Sequence, residues 1–519
     1  MEFKSIKELI EFRGKNNSSE LFIFSPEDET KLTFGEYYEE IVNLSNKLIN
    51  RGLEKGDKVA ILLFNGLNYA VSFMSVVIGG GVVVPINPNL KSTEIEYLVK
   101  DSDAKFIITD IDGMKDLNSK ELDFKLEGLN TEFGSSGELK IIQLSKQFED
   151  IDDTINEALK WEDEVLLLYT SGTTGKPKGV VLTNGNLLSE AENVHKGHKL
   201  TQNDIALCVL PLFHVNGLVV TLISPLFSAG KVVMPKKFRA SQFWNWVEYY
   251  KVTWFSVVPT ILSIILSRTI KEEIDLSSLR FARSASSSLP VAILNEFENR
   301  FGIPVIESYG ISEASSQVTT NPLPPLVRKA GSVGLPVGNE IKVIDENGNA
   351  LKSSVVGEVV IRGDNVTNGY RNNLNANLEA FKNGWFYTGD LGYFDEDGYL
   401  FLTGRRKELI NRAGEKISPR EVDEVLYSLP EVEMAAAVGV PDPFYGEEVV
   451  AFIKLRPVQK IDEKEILSFC SNKLADFKLP KKIFFVEDLP KGPSGKIQRK
   501  KLVKVYENIQ NSERGEKFI

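Results

Sequence analysis

The chain has 519 residues, of which 42% are apolar and 26% charged, and its formal net charge is −11. The length predicts about three folding units or more, and the ordinary composition excludes a disordered or fibrous protein. The acidic balance argues against a dedicated nucleic-acid-binding protein. Two cysteines and three histidines argue against a disulfide framework and against a Cys-rich or His-rich metal site.

Targeting signals and membrane spans are not predicted. Charged residues are frequent from the start of the sequence, and neither a lipidation motif nor a peroxisomal tripeptide is seen, so we expect a cytoplasmic protein. Residues 59–90 and 205–230 contain no charge, but Asn, Gly and Pro interrupt both stretches. These interruptions favour buried core elements over membrane spans.

The first predicted element is a helix over residues 32–52, opened by a capping box of Thr33 and Glu36. Short apolar runs then alternate with helix-length segments, which predicts an α/β protein with mostly parallel, doubly wound sheets. The runs are 58–63, 82–87, 105–110, 206–211, 231–235, 255–259, 279–284 and 304–310.

The pattern of apolar runs and turn residues changes twice towards the C-terminus. From about residue 331 to 406, short strands with turns at Asn347-Gly348 and Asp397-Gly398 predict a small antiparallel, barrel-like subdomain. We expect it to complete an N-terminal domain over residues 1–406. Residues 407–519 are predicted to form an α+β C-terminal domain, in which Ser418 and Glu421 cap a helix.

The most informative segment lies between two apolar runs, within residues 166–182. Glycines let backbone N–H groups turn towards one point, hydroxyls add donors and lysines add positive charge, which is what a polyphosphate needs. No Gly-Lys-Ser/Thr opens a helix here, so the segment is not a Walker A loop. The residues predicted to bind nucleotide are Thr170, Ser171, Gly172, Thr173, Thr174, Gly175, Lys176 and Lys178.

This segment resembles the signature loop of the adenylate-forming superfamily, which includes the acyl-CoA synthetases. Five further motifs resemble that family in the expected order, and the resemblance covers essentially the whole chain. They occupy residues 307–313, 357–363, 387–390, 404–410 and 493–497.

The resemblance implies a two-step ligase that uses ATP, Mg²⁺ and coenzyme A. A carboxylate attacks the α-phosphorus of ATP to give acyl-AMP and pyrophosphate, and a thiol then displaces AMP. It assigns Lys496 to the phosphorus chemistry and Ser312, where most relatives carry Thr, to the α-phosphate. Glu313 and Thr170 would bind the metal. Its nucleotide-binding residues would be Ser286, Ser287, Ser288, Glu307, Ser308, Tyr309, Gly310, Asp390 and Arg405.

The resemblance also implies a mobile C-terminal domain. Lys407 matches the hinge about which relatives rotate this domain between the two half-reactions. The thiol would then approach along a channel for coenzyme A. The residues matching that channel are Arg412, Ala413, Gly414 and Lys416.

The acid is less well specified. Segments of the chain look most like the oxalyl-CoA synthetase branch, beside the coumarate ligases, with Arg283 as the candidate cation for a second carboxylate. The chain departs from that branch at Ser316, where oxalyl relatives carry histidine. His214 matches a wall of the acyl pocket, and Asn216, Ser316 and Gln317 keep the pocket polar. We therefore expect a small polar, dicarboxylic or aromatic acid, since a long chain would leave these groups unpaired.

Alternatives remain at this stage. The chain could load an acyl or aminoacyl group onto a carrier protein, activate medium or long-chain fatty acids, or be a non-catalytic nucleotide-binding scaffold. We expect a monomer or homodimer. His195 and His198 are interpreted as surface or capping residues and Cys208 as a core residue.

Overall fold

The computed structural model describes residues 3–110, 129–132, 138–144, 158–170, 177–268, 274–492 and 495–513. Its strands are β1 Leu21–Ser25, β2 Thr30–Thr33, β3 Lys58–Leu62, β4 Val82–Pro85, β5 Ala104–Thr109, β6 Leu129–Glu132, β7 Glu138–Gln143, β8 Glu164–Thr170, β9 Lys178–Thr183, β10 Ile205–Leu207, β11 Lys231–Val233, β12 Trp254–Val257, β13 Phe281–Ser284, β14 Val305–Ile311, β15 Ser316–Thr320, β16 Leu335–Pro336, β17 Glu340–Ile344, β18 Gly357–Arg362, β19 Phe381–Lys382, β20 Trp385–Phe394, β21 Leu400–Arg405, β22 Ile410–Arg412, β23 Glu415–Ile417, β24 Val432–Asp442, β25 Gly446–Leu455 and β26 Lys482–Phe485.

The α-helices are α1 Ile6–Asn16, α2 Phe34–Ile49, α3 Leu67–Ile78, α4 Ser92–Asp101, α5 Asn184–His198, α6 Ser224–Ser228, α7 Phe243–Tyr249, α8 Pro259–Leu266, α9 Val291–Phe301, α10 Leu374–Ala380, α11 Pro419–Tyr427, α12 Glu463–Ser471 and α13 Arg499–Glu513. A π-helix, Asn216–Ile223, leads directly into α6. The capping box predicted for α2 is confirmed, because Thr33 accepts from the backbone of Glu36 and the Glu36 carboxylate accepts in return.

The first large sheet has the strand order β6-β7-β5-β3-β4-β8-β9. Strands β5, β3, β4 and β8 are parallel, whereas β6, β7 and β9 are added antiparallel at the edges. The residues of β4 are all buried, which is typical of a parallel sheet covered by helices on both faces.

The second large sheet has the order β16-β15-β14-β13-β12-β10-β11-β1-β2. From β14 to β1 all neighbours are parallel. The carboxyl ends of β12, β13 and β14 therefore lie at one edge, which is where open α/β sheets bind ligands. Each of the eight apolar runs predicted as strands forms one, so the predicted α/β class is confirmed.

The small subdomain is an antiparallel sheet in the order β17-β18-β20-β19, with β21 paired to β20. Both predicted turns are present: the N–H of Gly348 donates to Asp345 O and that of Gly398 to Asp395 O. The two glycines have φ of +85° and +81°, which explains why glycine follows Asn and Asp there.

The C-terminal part packs helices on both faces of the sheet β23-β22-β25-β24, to which β26 is added. The predicted helix is present as α11, but the side-chain cap predicted for Ser418 is wrong. Its hydroxyl donates instead to Thr403 O, because β21 brings that carbonyl within reach. Glu421 pairs with Lys478, with Nζ and Oε1 2.6 Å apart. The boundary between residues 406 and 407 stays a prediction.

The charge-free stretches belong to the core. Residues 59–90 form β3, α3 and β4, and residues 205–230 form β10, the π-helix and α6. Most of their apolar side chains are buried. Over the described ranges, no helix is both long enough and apolar enough to cross a bilayer.

The hairpin β8–β9 is fastened at its base. The N–H of Gly185, in the first turn of α5, donates to Trp161 O at 2.8 Å, and the N–H of Asn184 donates to Asp163 O at 2.9 Å. A Cβ atom at Gly185 would stand 2.3 Å from Trp161 Nε1. The indole therefore packs directly on the backbone of α5 and fixes both ends of the hairpin.

Gly185→Ala is predicted to lower the midpoint of thermal unfolding by several degrees, because overpacking costs about 1–3 kcal/mol. Calorimetry measures the change. Combining it with Trp161→Leu should recover at least half of the loss, since the clashing ring is gone. An unchanged midpoint in the single variant would contradict this packing.

Candidate active site

Segments distant in sequence line one cavity at the carboxyl edge of the second large sheet. The loop after β13, the strand β14, the antiparallel sheet and the loop before α13 all contribute to it. The residues predicted from the sequence that line the cavity are Ser286, Ser287, Ser288, Glu307, Ser308, Tyr309, Gly310, Asp390, Arg405 and Lys496.

The Asp390 carboxylate is held from two sides. Tyr309 Oη donates to Oδ2 at 2.6 Å, and Arg405 Nε, on the strand paired with that of Asp390, donates to Oδ1 at 2.6 Å. Asp390 raises the pKa of Arg405, and burial followed by the same carboxylate raises the pKa of Tyr309. The guanidinium and the phenol thus remain donors at neutral pH, and Asp390 is an oriented acceptor.

Strand β14 and its neighbour are in unusually close contact. A Cβ atom at Gly310 would lie 1.4 Å from Ser316 O, so only glycine allows the β14–β15 hairpin to close. Glu307, on the same strand, is 2% exposed and accepts from the N–H of Leu289 at 3.1 Å. Its Oε2 lacks a hydrogen-bond partner among the described residues, and burial raises the pKa of Glu307 to about 7.

Lys496 enters from the loop before α13. Thr260 Oγ1 donates to Gly495 O at 3.1 Å, and a Cβ atom at Gly495 would stand 2.9 Å from Val258 Cγ2. Lost hydration, followed by repulsion from Arg405, lowers the pKa of Lys496. Part of the Lys496 side chain is accessible at the mouth of the cavity, and its ammonium forms no ion pair within the described part of the chain.

Glu313 lies in a one-turn 3-10 segment after β14, and Tyr370 connects it to the base of the glycine-rich loop. Tyr370 Oη donates to Glu313 Oε1 at 2.9 Å, and the Lys178 ammonium lies 4.9 Å from the centre of the Tyr370 ring. Lys178 is the cross-strand partner of Thr170. Sequence reasoning missed Tyr370, whose Gly-Tyr-Arg setting carries no signal of its own.

A carboxylate and a hydroxyl are oxygen-only donors, and Mg²⁺ is usually held by one or two carboxylates together with substrate phosphates. Glu313 and Thr170 therefore fit that ion chemically. Ser312 is half-buried at the start of the same turn. The other predicted loop residues lie outside the described residues; they are Ser171, Gly172, Thr173, Thr174, Gly175 and Lys176.

A buried polar cluster joins the cavity wall from behind. Arg283 is 1% exposed, and its Nη1 donates to Asn216 Oδ1 at 3.0 Å and to Ser256 Oγ at 2.9 Å. Its Nη2 donates to Gln317 Oε1 at 3.3 Å. Asn216 Nδ2 donates to Ser286 Oγ at 3.1 Å, which links the cluster to the cavity. Arg283 thus supports the wall at Ser286 and does not itself line the cavity.

Glu190 on α5 is the acid nearest to this cluster. Its Oε1 accepts from the N–H of Gln317 at 2.5 Å and its Oε2 accepts from Asn365 Nδ2 at 2.9 Å. Burial raises the pKa of Glu190 to about 8, whereas burial lowers the pKa of Arg283 to about 10. Arg283 consequently keeps its charge at neutral pH.

The interpretation of His198 as a surface or capping residue is wrong. His198 is fully buried, its Nε2 lies 3.1 Å from Gln317 Oε1, and its ring stacks on Phe281. Burial lowers its pKa to about 3, so it is neutral. The spacing of Ala191, Val194 and His198 along one helical face is the signal that could have revealed this.

The remaining candidate residues are buried or half-buried. His214 precedes the π-helix, its Nε2 has no hydrogen-bond partner among the described residues, and burial lowers its pKa to about 4. Ser316 is 6% exposed at the start of β15. Cys208 is a core residue as predicted, with its pKa raised by burial to about 12. His195 is partly buried beside Phe227.

The predicted hinge residue Lys407 is exposed and lies in the 3-10 segment Arg406–Glu408, between β21 and β22. The predicted channel residues form the β22–β23 turn, away from the described cavity lining. Ala413 and Gly414 turn there with φ of +51° and +95°.

Two of these channel residues carry charge. Arg412 pairs with Glu448, with Nε and Oε1 2.7 Å apart, and its guanidinium lies 4.2 Å from the centre of the Tyr445 ring. Lys416 is exposed on β23.

Comparisons with known proteins agree with this arrangement. Residues 12–371 match the model of the AMP-binding enzyme family, and residues 421–496 match that of the AMP-binding enzyme C-terminal domain. A probable CoA ligase of Humulus lupulus is 43% identical over 91% of each chain. An oxalate–CoA ligase of Arabidopsis thaliana is 41% identical over 90% of this chain and 92% of its own.

A crystal structure of an anthranilate CoA ligase with anthranoyl-AMP superposes with a TM-score of 0.86 at 27% identity, covering 97% of each chain. The family models together span most of the sequence, and the relatives match along nearly their whole length. The chain therefore belongs to the AMP-binding enzyme family.

Proposed function

We propose that this protein is an AMP-forming acid–CoA ligase whose acid is small and polar, dicarboxylic or aromatic. The observation that carries the proposal is the meeting of Lys496 with the Asp390–Arg405 pair and β14 in one cavity. An anion must attack a polyanion in the first half-reaction, and fixed cations and donors are what lower that barrier.

The contacts of the residues in the cavity support a role for each of them in adenylation. Asp390, already oriented by Tyr309 and Arg405, would accept hydrogen bonds from the two ribose hydroxyls. The Ser286–Ser288 loop and Gly310, which line the cavity, would flank the adenine. Lys496 would bridge the attacking carboxylate and the α-phosphate, and Ser312 would donate to that phosphate.

Glu313 and Thr170 would hold Mg²⁺, which supplies charge neutralisation at the phosphates. The glycine-rich residues 171–176 with Lys178 would donate to the pyrophosphate end. In the second half-reaction, rotation at Lys407 would bring the β22–β23 turn towards the acyl group. Gly414 would let the pantetheine pass close to the backbone, and Arg412 and Lys416 would meet the phosphates of coenzyme A.

The polar cluster supports the class of acid. Arg283 carries a buried charge and donates to Asn216, which in turn donates to Ser286 at the cavity wall. The names of relatives point the same way, since the Arabidopsis relative acts on a dicarboxylic acid and the structural relative on an aromatic acid. A long alkyl chain would exclude water from polar groups at such a wall, and each group left unpaired would cost about 1–3 kcal/mol.

Acid-dependent release of pyrophosphate across a carboxylate panel, with and without coenzyme A, tests the function. At least one short polar, dicarboxylic or aromatic acid should exceed palmitate in kcat/KM by about tenfold or more. If palmitate had the highest kcat/KM of the panel, the acid class would be wrong. If turnover required an added carrier protein, that protein and not coenzyme A would be the acceptor.

Lys496→Ala is predicted to lower the rate of acyl-AMP formation by about 100-fold or more, because a charge at the reacting phosphate is lost. Thioester formation from supplied acyl-AMP should stay within about threefold. In the wild type, adenylation should fall at alkaline pH below the ordinary lysine pKa of 10.5, since the pKa of Lys496 is lowered and its charge is lost sooner. Equal loss in both half-reactions would mean that Lys496 has only a structural role.

The charge of Arg283 reaches the cavity wall only through Asn216 and Ser286, so Arg283→Met is predicted to reduce kcat/KM for a dicarboxylic acid about threefold more than for a monocarboxylic acid of equal length. The matched control is Arg280→Met, because Arg280 lies just before the same strand and pairs instead with Asp204. Equal losses for both acids would show that Arg283 is only a framework residue.

A further inference from the structure

Helix α9 of the N-terminal part is bound by the C-terminal part through a two-pronged ion pair. Arg456 Nη1 and Nη2 donate to Glu296 Oε1 and Oε2, at 2.8 and 2.5 Å. Arg456 Nε donates to Val432 O at 3.3 Å, which fixes the plane of the guanidinium. Such paired geometry gives directional as well as electrostatic attraction.

A second contact lies at the start of the same helix. Glu424 Oε2, on α11, accepts from the N–H of Val291 at 3.3 Å. Pro290, which precedes α9, provides no side-chain cap. A carboxylate from another part of the chain therefore satisfies a free N–H group at the positive end of this helix.

Helix α9 is a rigid support for these contacts. Phe297 is fully buried in the core beneath it. Glu298 pairs with Arg328, and Arg300 donates to Leu266 O at 2.5 Å. Glu296 is thus the charged side chain by which this helix pairs with Arg456, and Tyr427 of α11 adds an apolar contact with the same core.

Helix α11 connects α9 with Lys496. Asp423, next to Glu424, pairs with Arg499, three residues after Lys496. Arg499 Nη1 also donates to Ala437 O at 2.7 Å. Val422 and Leu426 of the same helix are fully buried in the C-terminal core, so α11 is held in that core.

We propose that the Glu296–Arg456 ion pair and the Glu424 contact with α9 position Lys496 in the cavity for the adenylation half-reaction. The contacts run from helix α9, through α11, to Arg499, which is three residues after Lys496. Both residues of the ion pair lie outside the cavity lining, so they are positioning residues. The inference rests on the proposed role of Lys496.

The neutral variants Glu296→Gln and Arg456→Gln test the pair. Each should slow acyl-AMP formation in a single turnover about two- to fivefold, the range expected for a partly exposed pair. Thioester formation from supplied acyl-AMP should not change, because it does not need Lys496 in the cavity. The double variant Glu296→Arg with Arg456→Glu should restore adenylation.

The control is Glu340→Gln, which breaks a two-pronged pair of the same kind with Arg362 inside the antiparallel sheet. It should alter neither half-reaction. Equal slowing of both half-reactions in the Glu296 and Arg456 variants, no slowing, or failure of the double variant to restore adenylation would each overturn the proposal.

A distance measurement separates this proposal from the proposed function. Spin labels on Tyr249→Cys and Val458→Cys, at residues 77% and 98% exposed, report the arrangement of the two parts, and the native cysteines are buried. Glu296→Gln should broaden the distance distribution, and an identical distribution would overturn the positioning role. If the wild type formed acyl-AMP from none of the acids tested, the proposed function would fail, whereas the distance measurement would still decide whether the ion pair positions the two parts.

Discussion

The placement of Asp390 between Tyr309 and Arg405 is the interaction on which the site depends. Tyr309 belongs to the second large sheet, and Asp390 and Arg405 belong to neighbouring strands of the antiparallel sheet. Their hydrogen bonds therefore join two sheets at the cavity and leave a carboxylate oriented towards it. Asp390 and Tyr309 are buried, whereas the Arg405 side chain is 44% exposed, so solvent screens the ion pair more than the phenol hydrogen bond, and the two contacts together restrain the carboxylate from both sides. The geometry of the pair is consequently well defined before any nucleotide binds.

Lys496 depends on contacts of a different kind. Among the described residues, Thr260 of the N-terminal part donates a hydrogen bond to the loop that carries Lys496, and the Arg499–Asp423 pair connects the residues after Lys496 to α11. The groups that bring α11 to α9 are charged and partly exposed, so each is individually weak. Asp390 is therefore held more firmly than Lys496. This difference suits the proposed function, in which Lys496 would be in the cavity for adenylation and out of it for thioester formation.

Much of the fold was predictable from the sequence because apolar runs and turn residues act locally. The runs at 58–63 and 82–87 became β3 and β4, and Gly348 and Gly398 adopted the conformations that their turns require. The helix that begins after Ser418 was predictable, but the hydrogen bond of the Ser418 hydroxyl was not, because a carbonyl from β21 competes for it. The contact partner came from a strand that local patterns cannot place.

In the site, too, local sequence signals were predictable and contacts between distant segments were not. Motif residues such as Asp390 and Lys496 were identified one by one, and their common cavity is a matter of tertiary structure. Tyr370 and His198 were missed or misread, because their partners Glu313 and Gln317 are distant in sequence. Arg283 was expected to meet a second carboxylate of the acid, and this stays a prediction, because the structure places its charge behind Ser286 and not in the cavity lining.

Isotope exchange between pyrophosphate and ATP in the absence of coenzyme A tests the central claim most directly, because it reports the adenylation step alone. The account predicts exchange that requires a small polar, dicarboxylic or aromatic acid, and that is lost in Lys496→Ala and in Asp390→Ala. Absence of exchange with every acid tested, in a folded protein that binds ATP, would contradict it.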